Sequence, residues 1–272
     1  MRLTLTISDR GYSVDPGAAV DISIPLDFDG AQPHAFGLPR AEAHAVDAGS
    51  FVGDTRRGGS CNCETITLNP HGSGTHTECA GHVTRERVSV ADAAREPLIP
   101  CTLVSIEPVA ATTGSGAEAA VASDRVVTRE AIERALIALG ERAPELLRGL
   151  VIRTLPNDPD KRTAEYTGTN PTYLTLAAMH LLRELGVEHL VVDLPSVDRE
   201  DDGGSLRAHR IFFGVDDERT LADADGARRT ITEMAFVPDD LADGSYLLNL
   251  QLPAFLLDAA PSRPLLMHLD PA

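Results

Sequence analysis

Apolar residues recur at helical spacing in two segments of the chain, residues 128–139 and 175–185. In the first segment Thr128 can cap the start of a helix, and Gly140 allows a left-handed stop. The second segment starts near Thr175 and ends at Gly186. The sequence therefore predicts two amphipathic helices. Their apolar faces consist of Ile132, Ala135, Leu136 and Leu139 in the first helix and of Ala178, Leu181, Leu182 and Leu185 in the second.

Short apolar and β-branched runs predict the strands. Strands at 149–155 and 190–194 flank the second helix, which implies a parallel βαβ crossover. Further strands are predicted at 21–26, 61–68 and 103–109, with β-rich segments at 210–215, 246–252 and 264–269. Weakly periodic residues predict surface connections at 27–60 (a candidate lid), 110–123 and 156–171. We expect one compact mixed α/β domain over residues 1–272.

The composition narrows the class of protein. A chain of 272 residues with 43% apolar content can bury a full core. No apolar run approaches the roughly 18 residues of a membrane span, and the N-terminus lacks a secretory signal pattern. The formal charge of −17 disfavours nucleic acid and anionic lipid as partners. These features predict a cytoplasmic protein that binds a small molecule, with no nucleic-acid or membrane partner.

Candidate chemistry is concentrated between residues 69 and 83. His71, His76, Glu78 and His82 lie within twelve residues, and divalent transition metals prefer imidazole and carboxylate ligands. If the segment is extended, His76 and Glu78 point to one side and can bind a common metal ion. Two glycines between His71 and His76 allow the chain to curl back. The pattern indicates the metal-binding turn of a hydrolase.

Two other interpretations of this region stay open at the level of sequence. The histidines of a polar, glycine-rich turn can simply satisfy backbone carbonyl groups. Alternatively, Cys61, Cys63 and Cys79 could form a structural zinc site together with His76, although a Cys-x-Cys spacing without a second pair is atypical. Alternating residues around Cys61 and Cys63 instead favour a position on the predicted strand 61–68.

The order of these motifs resembles the cyclase family of metal-dependent hydrolases, which includes bacterial kynurenine formamidase and isatin hydrolase. Residues 74–82, Gly-Thr-His-Thr-Glu-Cys-Ala-Gly-His, are similar to the family pattern His-x-Gly-Thr-His-x-Asp-x-Pro-x-His. Residues 21–26 resemble the Asp-Leu-Ser segment of the family, and residues 193–198 resemble its Asp-x-x-Ser-x-Asp segment. His209 and Glu233 follow where the family has a histidine and a glutamate.

This resemblance implies a cyclase-like (swivelling β/β/α) fold with a mixed, barrel-like sheet and flanking helices. It also implies that His76, Glu78, His209 and Glu233 hold a divalent metal ion, Zn²⁺ or Mn²⁺, and that His82 is the catalytic acid/base.

The chain departs from the family pattern at three positions. Glu78 replaces an aspartate, and Ala80 replaces a proline. The first histidine of the pattern falls at Gly72, so that His71 is displaced by one residue. His71 can act as a further metal ligand only if the loop bulges at this point.

The function implied by the resemblance is hydrolysis of a C–N bond other than a peptide bond. The substrate would be a small-molecule carbonyl compound (an amide, formamide or lactam, as for an arylformamidase), attacked by metal-activated water. A catalytically inactive metal- and ligand-binding protein is the alternative. The resemblance also implies a homodimer or homotetramer. The chain contains only 4% aromatic residues, which slightly disfavours an aryl substrate; the available rings are Phe51, Tyr166, Tyr173, Phe212 and Phe213.

Overall fold

A mixed sheet of nine strands, curled into a half-barrel, forms the centre of the protein. The computed structural model describes residues 1–112, 123–140 and 143–272. The strands are β1 Leu3–Ile7, β2 Arg10–Val14, β3 Val20–Asp21, β4 Glu42–Ala45, β5 Glu64–Thr67, β6 His76–Cys79, β7 Leu98–Ile106, β8 Val109–Ala110, β9 Arg125–Val127, β10 Gly149–Thr154, β11 Tyr173–Leu174, β12 His189–Val192, β13 Thr230–Glu233, β14 Gly244–Asn249, β15 Ala259–Pro261, β16 Leu265–His268 and β17 Asp270–Pro271. The α-helices are α1 Val90–Ala93, α2 Arg129–Ala138, α3 Leu176–Glu184 and α4 Arg207–Phe213.

The strand order of the large sheet is β15-β6-β13-β12-β10-β7-β14-β16-β3. Its middle strands β7, β10, β12 and β13 run parallel, whereas β6 and β14 flank them in antiparallel orientation. The parallel pairing of β10 with β12 confirms the predicted βαβ crossover through α3. The central strands β10 and β12 are fully buried, and each contains an apolar run, Leu150–Ile152 in β10 and Leu190–Val192 in β12.

The two faces of the sheet border separate apolar cores. Helices α2, α3 and α4 pack on one face, against side chains such as Ile152 and Val192. On the other face, Val151 and Val191 pack with Tyr246 and other residues of β14. This alternation follows from the two-residue period of a strand.

Both predicted helices are confirmed, and their ends follow from local chemistry. Thr128 Oγ1 accepts the amide of Ala131 at 3.3 Å, and Thr175 Oγ1 accepts the amide of Ala178 at 3.2 Å. At the other ends Gly140 and Gly186 have φ values of +79° and +75°, which glycine adopts without strain.

Three strand predictions need correction. The segment 210–215 is not β-structure but belongs mostly to helix α4. The predicted strand 21–26 keeps only its first residue as strand, since β3 ends at Asp21. In the predicted strand 61–68 only Glu64–Thr67 pairs, so that Cys61 and Cys63 lie before the strand and are exposed. Most of the predicted loop 110–123 falls outside the described residues.

No helix among the described residues is long and apolar enough to cross a membrane.

Candidate metal centre

Strand β6 carries the first two predicted ligands. His76 and Glu78 are two residues apart on an extended strand, so that their side chains leave the same face of the sheet. Both side chains are fully buried, and β6 is an inner strand of the sheet, paired with β15 at one edge and with β13 at the other. The sequence prediction of a shared direction agrees with this geometry.

Helix α4 brings His209 to the same place from the second half of the chain. His209 Nε2 lies 2.8 Å from Glu78 Oε1, and His209 Nδ1 donates to Asp198 Oδ2 at 2.6 Å. Asp198 also accepts the main-chain amides of Ala208 and His209, at 2.7 and 3.1 Å. One carboxylate therefore holds both the start of the helix and the direction of the imidazole ring.

Glu233, at the end of β13, completes the inner cluster. In the β6–β13 register Glu233 stands opposite His76. Its Oε2 lies 3.4 Å from His76 Nε2, and its Oε1 lies 3.5 Å from His209 Nε2. Glu233 Oε1 also accepts the main-chain amide of Val197 at 2.9 Å. The four residues that the family resemblance implies as ligands thus converge from three elements.

His71 and His82 lie at the edge of this cluster. His71 Nδ1 is 3.0 Å from Glu78 Oε2, while His82 Nε2 is 3.8 Å from the same oxygen. The two rings stack with centroids 4.1 Å apart. Asp258, which the sequence analysis did not single out, contacts both rings, at 2.8 Å from His71 Nε2 and 3.4 Å from His82 Nδ1.

The displacement of His71 has a steric reason. Gly72 occupies the position of the first histidine in the family pattern, and it packs against the turn at residues 35–38. A Cβ atom at Gly72 would lie 2.8 Å from Leu38 Cδ1 and 3.3 Å from the Ala35 carbonyl oxygen. A side chain at 72 would therefore require Leu38 and its turn to shift, and the 3-10 turn Pro70–Gly72 brings His71 to Glu78 instead.

The buried polar atoms of the cluster fit a metal ion. His76 Nδ1 donates to the Gly74 carbonyl at 3.0 Å, so that the other ring nitrogen, Nε2, is left as an acceptor. His209 Nδ1 donates to Asp198, which likewise leaves His209 Nε2 as an acceptor. His76 Nε2, His209 Nε2 and both oxygens of Glu78 are buried without a hydrogen-bond partner. Acceptor atoms that face one another in this way repel unless a cation lies between them. The donor set, imidazole nitrogen and carboxylate oxygen, suits a divalent transition-metal ion.

The electrostatics of the cluster point to the same conclusion. Burial raises the pKa of Glu78, but the imidazoles of His82 and His209 outweigh burial and hold the pKa well below its ordinary value. Burial lowers the pKa of His209, yet the charge of Glu78 and the bond to Asp198 raise it well above the ordinary value. The carboxylates thus favour positive charge at this point, and a divalent cation can take the place of protons there.

Cysteine does not contribute to this centre. Cys79 follows Glu78 on β6 and points to the opposite face, where its thiol donates to the Val88 carbonyl. Cys61 and Cys63 are exposed elsewhere. Among the described residues, the groups close enough to share a metal ion consist of histidine and carboxylate alone. The structure therefore does not bring together the residues of the alternative zinc site.

A pocket of about 410 Å³ opens onto the cluster. His71, His82, His209 and Glu233 form its polar end. The remaining wall includes the apolar side chains of Phe36, Leu38 and Leu206 together with Asn69, Ser196, Arg199, Glu200, Asp202 and Gly204. A small molecule in this pocket would therefore contact His82 and the candidate ligands His71, His209 and Glu233 directly.

Comparisons with known proteins agree with this architecture. A family model described as "Putative cyclase" matches residues 20–199, more than half of the chain. The protein therefore belongs to this cyclase family. No curated protein matches the sequence.

Solved structures with the same fold include metal-dependent hydrolases. An isatin hydrolase bound to the product analogue thioisatinate is 18% identical over 94% of this chain and 93% of that chain, with a TM-score of 0.63. Isatin hydrolase A from Labrenzia aggregata, bound to benzyl benzoate, is 17% identical over 92% and 93% of the two chains, with a TM-score of 0.61. A predicted metal-dependent hydrolase from Bacillus stearothermophilus is 14% identical over 92% and 97%, with a TM-score of 0.57. These likenesses confirm the expected fold class.

Proposed function

We propose that the protein is a metal-dependent hydrolase that cleaves the C–N bond of a small amide, formamide or lactam, in the manner of an arylformamidase. The observation that carries this proposal is the set of buried acceptor atoms without a hydrogen-bond partner on His76, Glu78 and His209, next to a pocket that His209 and Glu233 line. Membership of the cyclase family supports it. The two isatin hydrolases bind thioisatinate and benzyl benzoate, which are small aromatic compounds with a carbonyl-type group, and this supports a small carbonyl compound as the substrate.

The residues divide into holders of the metal and a group that moves protons. His71, His76, Glu78, His209 and Glu233 would hold a divalent ion, Zn²⁺ or Mn²⁺. When bound, such an ion lowers the pKa of water towards neutrality and polarises a carbonyl group. Asp258 and Asp198 orient His71 and His209 through the ring nitrogen that faces away from Glu78.

His82 is the proposed acid/base. Its ring lies in the pocket wall beside the ligands, 3.8 Å from Glu78, and its other nitrogen faces Asp258. As water adds to the carbonyl carbon, His82 takes a proton from the water. When the C–N bond breaks, the same proton passes to the nitrogen of the leaving amine, so that acid and amine are released.

Two single variants test these roles. His82→Asn is expected to reduce kcat for formanilide hydrolysis by about 10²–10⁴-fold while metal content stays the same. His76→Asn is expected to lose the metal together with activity, because it removes a buried ligand. Metal content is measured by elemental analysis after dialysis, and turnover by the release of aniline.

The outcomes separate the competing explanations. Loss of metal in both variants would contradict the assignment of His82 as an acid/base and would show instead that His82 is a metal ligand. Stoichiometric metal binding without turnover of formanilides or lactams would favour the inactive metal- and ligand-binding protein. We further propose a homodimer or homotetramer, to be tested by light scattering of the purified protein.

A further inference from the structure

Two bulky residues in the wall of the pocket have a left-handed backbone conformation. Phe36 has a φ of +62°, and Leu206 has φ and ψ of +48° and +47°. For residues with a large side chain this region is sterically unfavourable, and glycine or asparagine is the ordinary occupant. Strain of this kind persists where the surrounding structure enforces it, and it concentrates at ligand-binding sites.

The turn that carries Phe36 is held firmly in place. Phe36 and Gly37 are the central residues of a turn closed by the Leu38 amide, which donates to the Ala35 carbonyl at 3.4 Å. The Ala35 amide donates to the Gly72 carbonyl at 3.2 Å, next to His71. The imidazole of His34 bonds to the Leu38 carbonyl and, at 2.9 Å, to Glu165. These bonds hold the backbone that carries Phe36 in place next to the turn of His71.

Packing does not account for a phenylalanine at this position. Phe36 is 39% exposed, and it belongs to none of the apolar cores formed by the described residues. Its ring instead lines the pocket of the metal centre and two neighbouring cavities. The side chain is therefore available to a molecule in the pocket rather than to the protein interior.

Leu206 likewise combines a left-handed backbone, held in place by hydrogen bonds, with a side chain that lines the pocket. It directly precedes α4, the helix that carries His209, and its amide donates to Asp202 Oδ2 at 2.6 Å. The other oxygen of Asp202 accepts the amides of Gly204 and Ser205. The loop is thus fixed by its main chain, whereas the leucine side chain lines the pocket and packs only partly on the core.

The charged residues of the same wall are occupied by the protein itself. Arg199 donates to Asp124 at 2.9 Å and to the Asp201 carbonyl at 2.5 Å. Glu200 accepts the amides of Gly168 and Asn170. Beyond the metal centre, the contacts left for a ligand are mainly the apolar ones of Phe36, Leu38 and Leu206.

We propose that Phe36 and Leu206 are specificity-determining residues that bind the apolar, ring-bearing part of the substrate while its carbonyl group faces the metal centre. This inference rests on the proposed hydrolase function and specifies the substrate class of that site, a carbonyl compound with a ring-sized apolar substituent. The pocket volume of about 410 Å³ is in the range of pockets that enclose such molecules.

Glycine substitution distinguishes this role from a structural one. Phe36→Gly removes the ring and also relieves the backbone, so the melting temperature is expected to stay the same or rise by up to about 4 °C. The KM for formanilide is expected to rise about tenfold or more, whereas kinetic constants for N-methylformamide, which lacks the ring, change by less than about twofold. Leu206→Gly is expected to act in the same direction, and metal content is unchanged in both.

Asp9→Gly is the matched control. Asp9 has a φ of +64° in the exposed turn between β1 and β2, away from the pocket wall. Asp9→Gly also places a glycine at a left-handed backbone position, and it is expected to leave the KM for formanilide unchanged. A Phe36→Gly protein that melts earlier and keeps the wild-type KM would overturn the inference, because the ring would then serve only stability.

Binding separates this inference from the proposed function. If wild-type protein loaded with Zn²⁺ hydrolyses neither compound, the proposed function fails, and the dissociation constant of formanilide is measured by calorimetry instead. At least tenfold weaker binding to Phe36→Gly than to the wild type would support the inference. Equal binding by the two proteins, or no binding by the wild type, would overturn it.

Discussion

At the scale of single residues, Asp258 shows how one carboxylate can orient two rings. It contacts His71 and His82 through the ring nitrogens that face away from Glu78, and these contacts hold its own pKa well below the ordinary value. Its main-chain carbonyl accepts the amide of Cys79 at 3.0 Å, which ties it to β6. Asp258 therefore links the candidate ligand His71 to the candidate acid/base.

Asp258→Ala is expected to weaken Zn²⁺ binding by about 10–100-fold, because the His71 ring loses the partner that fixes its direction. The main-chain bond to Cys79 is retained in this variant. Affinity is measured by competition with a chromophoric chelator. Asp270→Ala is the matched control, since it removes a carboxylate 2.9 Å from His268 on an exposed strand. Equal affinities of the Asp258→Ala and Asp270→Ala proteins would show that Asp258 does not position the centre.

At the scale of elements, the segment 210–215 was predicted as β-structure, but most of it belongs to helix α4. The run Ile211-Phe212-Phe213 has the β-branched and aromatic character of a strand. The decisive contact is the bond of Asp198 to the amides of Ala208 and His209, from ten and eleven residues away in sequence. Local propensity could not reveal this cap, because the capping residue comes from a distant loop.

Asp198→Ala is expected to lower the free energy of unfolding by about 2–3 kcal/mol, since it removes charge-assisted bonds from a buried helix start and from His209. It should also impair metal binding. Thr128→Ala, which removes the cap of α2, is expected to cost about 1 kcal/mol without any effect on the metal. Denaturant unfolding and metal titration of both variants check this. Normal metal affinity in Asp198→Ala would mean that Asp198 serves the helix alone.

At the scale of the whole molecule, the centre joins parts of the chain that are distant in sequence. The candidate ligands come from a turn and strand at 71–78, from α4 and from β13, while β15 closes the edge. Burial and the negative charge of Glu78 raise the pKa of the neighbouring Glu233, but the imidazoles of His209 and His76 outweigh both effects and lower the pKa below its ordinary value. A bound cation would relieve this repulsion and hold these elements together.

A metal ion present at 100 times its Kd stabilises the folded state by roughly 2.7 kcal/mol. Removal of the metal is therefore expected to lower the melting temperature by about 5–10 °C. Differential scanning calorimetry with and without a chelator measures the shift. The His76→Asn protein, which is expected to bind no metal, should not respond to the chelator. The same melting temperature for metal-loaded and metal-free wild type would contradict a metal shared by these elements.

The sequence by itself determined the features that arise from near neighbours. The helices α2 and α3 with their glycine ends, and the shared direction of His76 and Glu78, follow from spacing within a few residues. The parallel pair β10 and β12 follows from the order strand, helix, strand along the chain. The resemblance to the cyclase family, carried by the order of motifs, added His209 and Glu233 as expected ligands.

Only the tertiary structure decided the features that depend on contacts across the chain. It showed that Arg207–Phe213 is a helix, that Leu38 leaves little room for a side chain at Gly72, and that Asp258 faces His71 and His82. It also brought Phe36 to the pocket, an aromatic residue that the sequence analysis left out of its candidate rings. The physical reason is that local pattern records backbone preference and periodicity, whereas the burial, direction and partners of a side chain are set by residues far away in sequence.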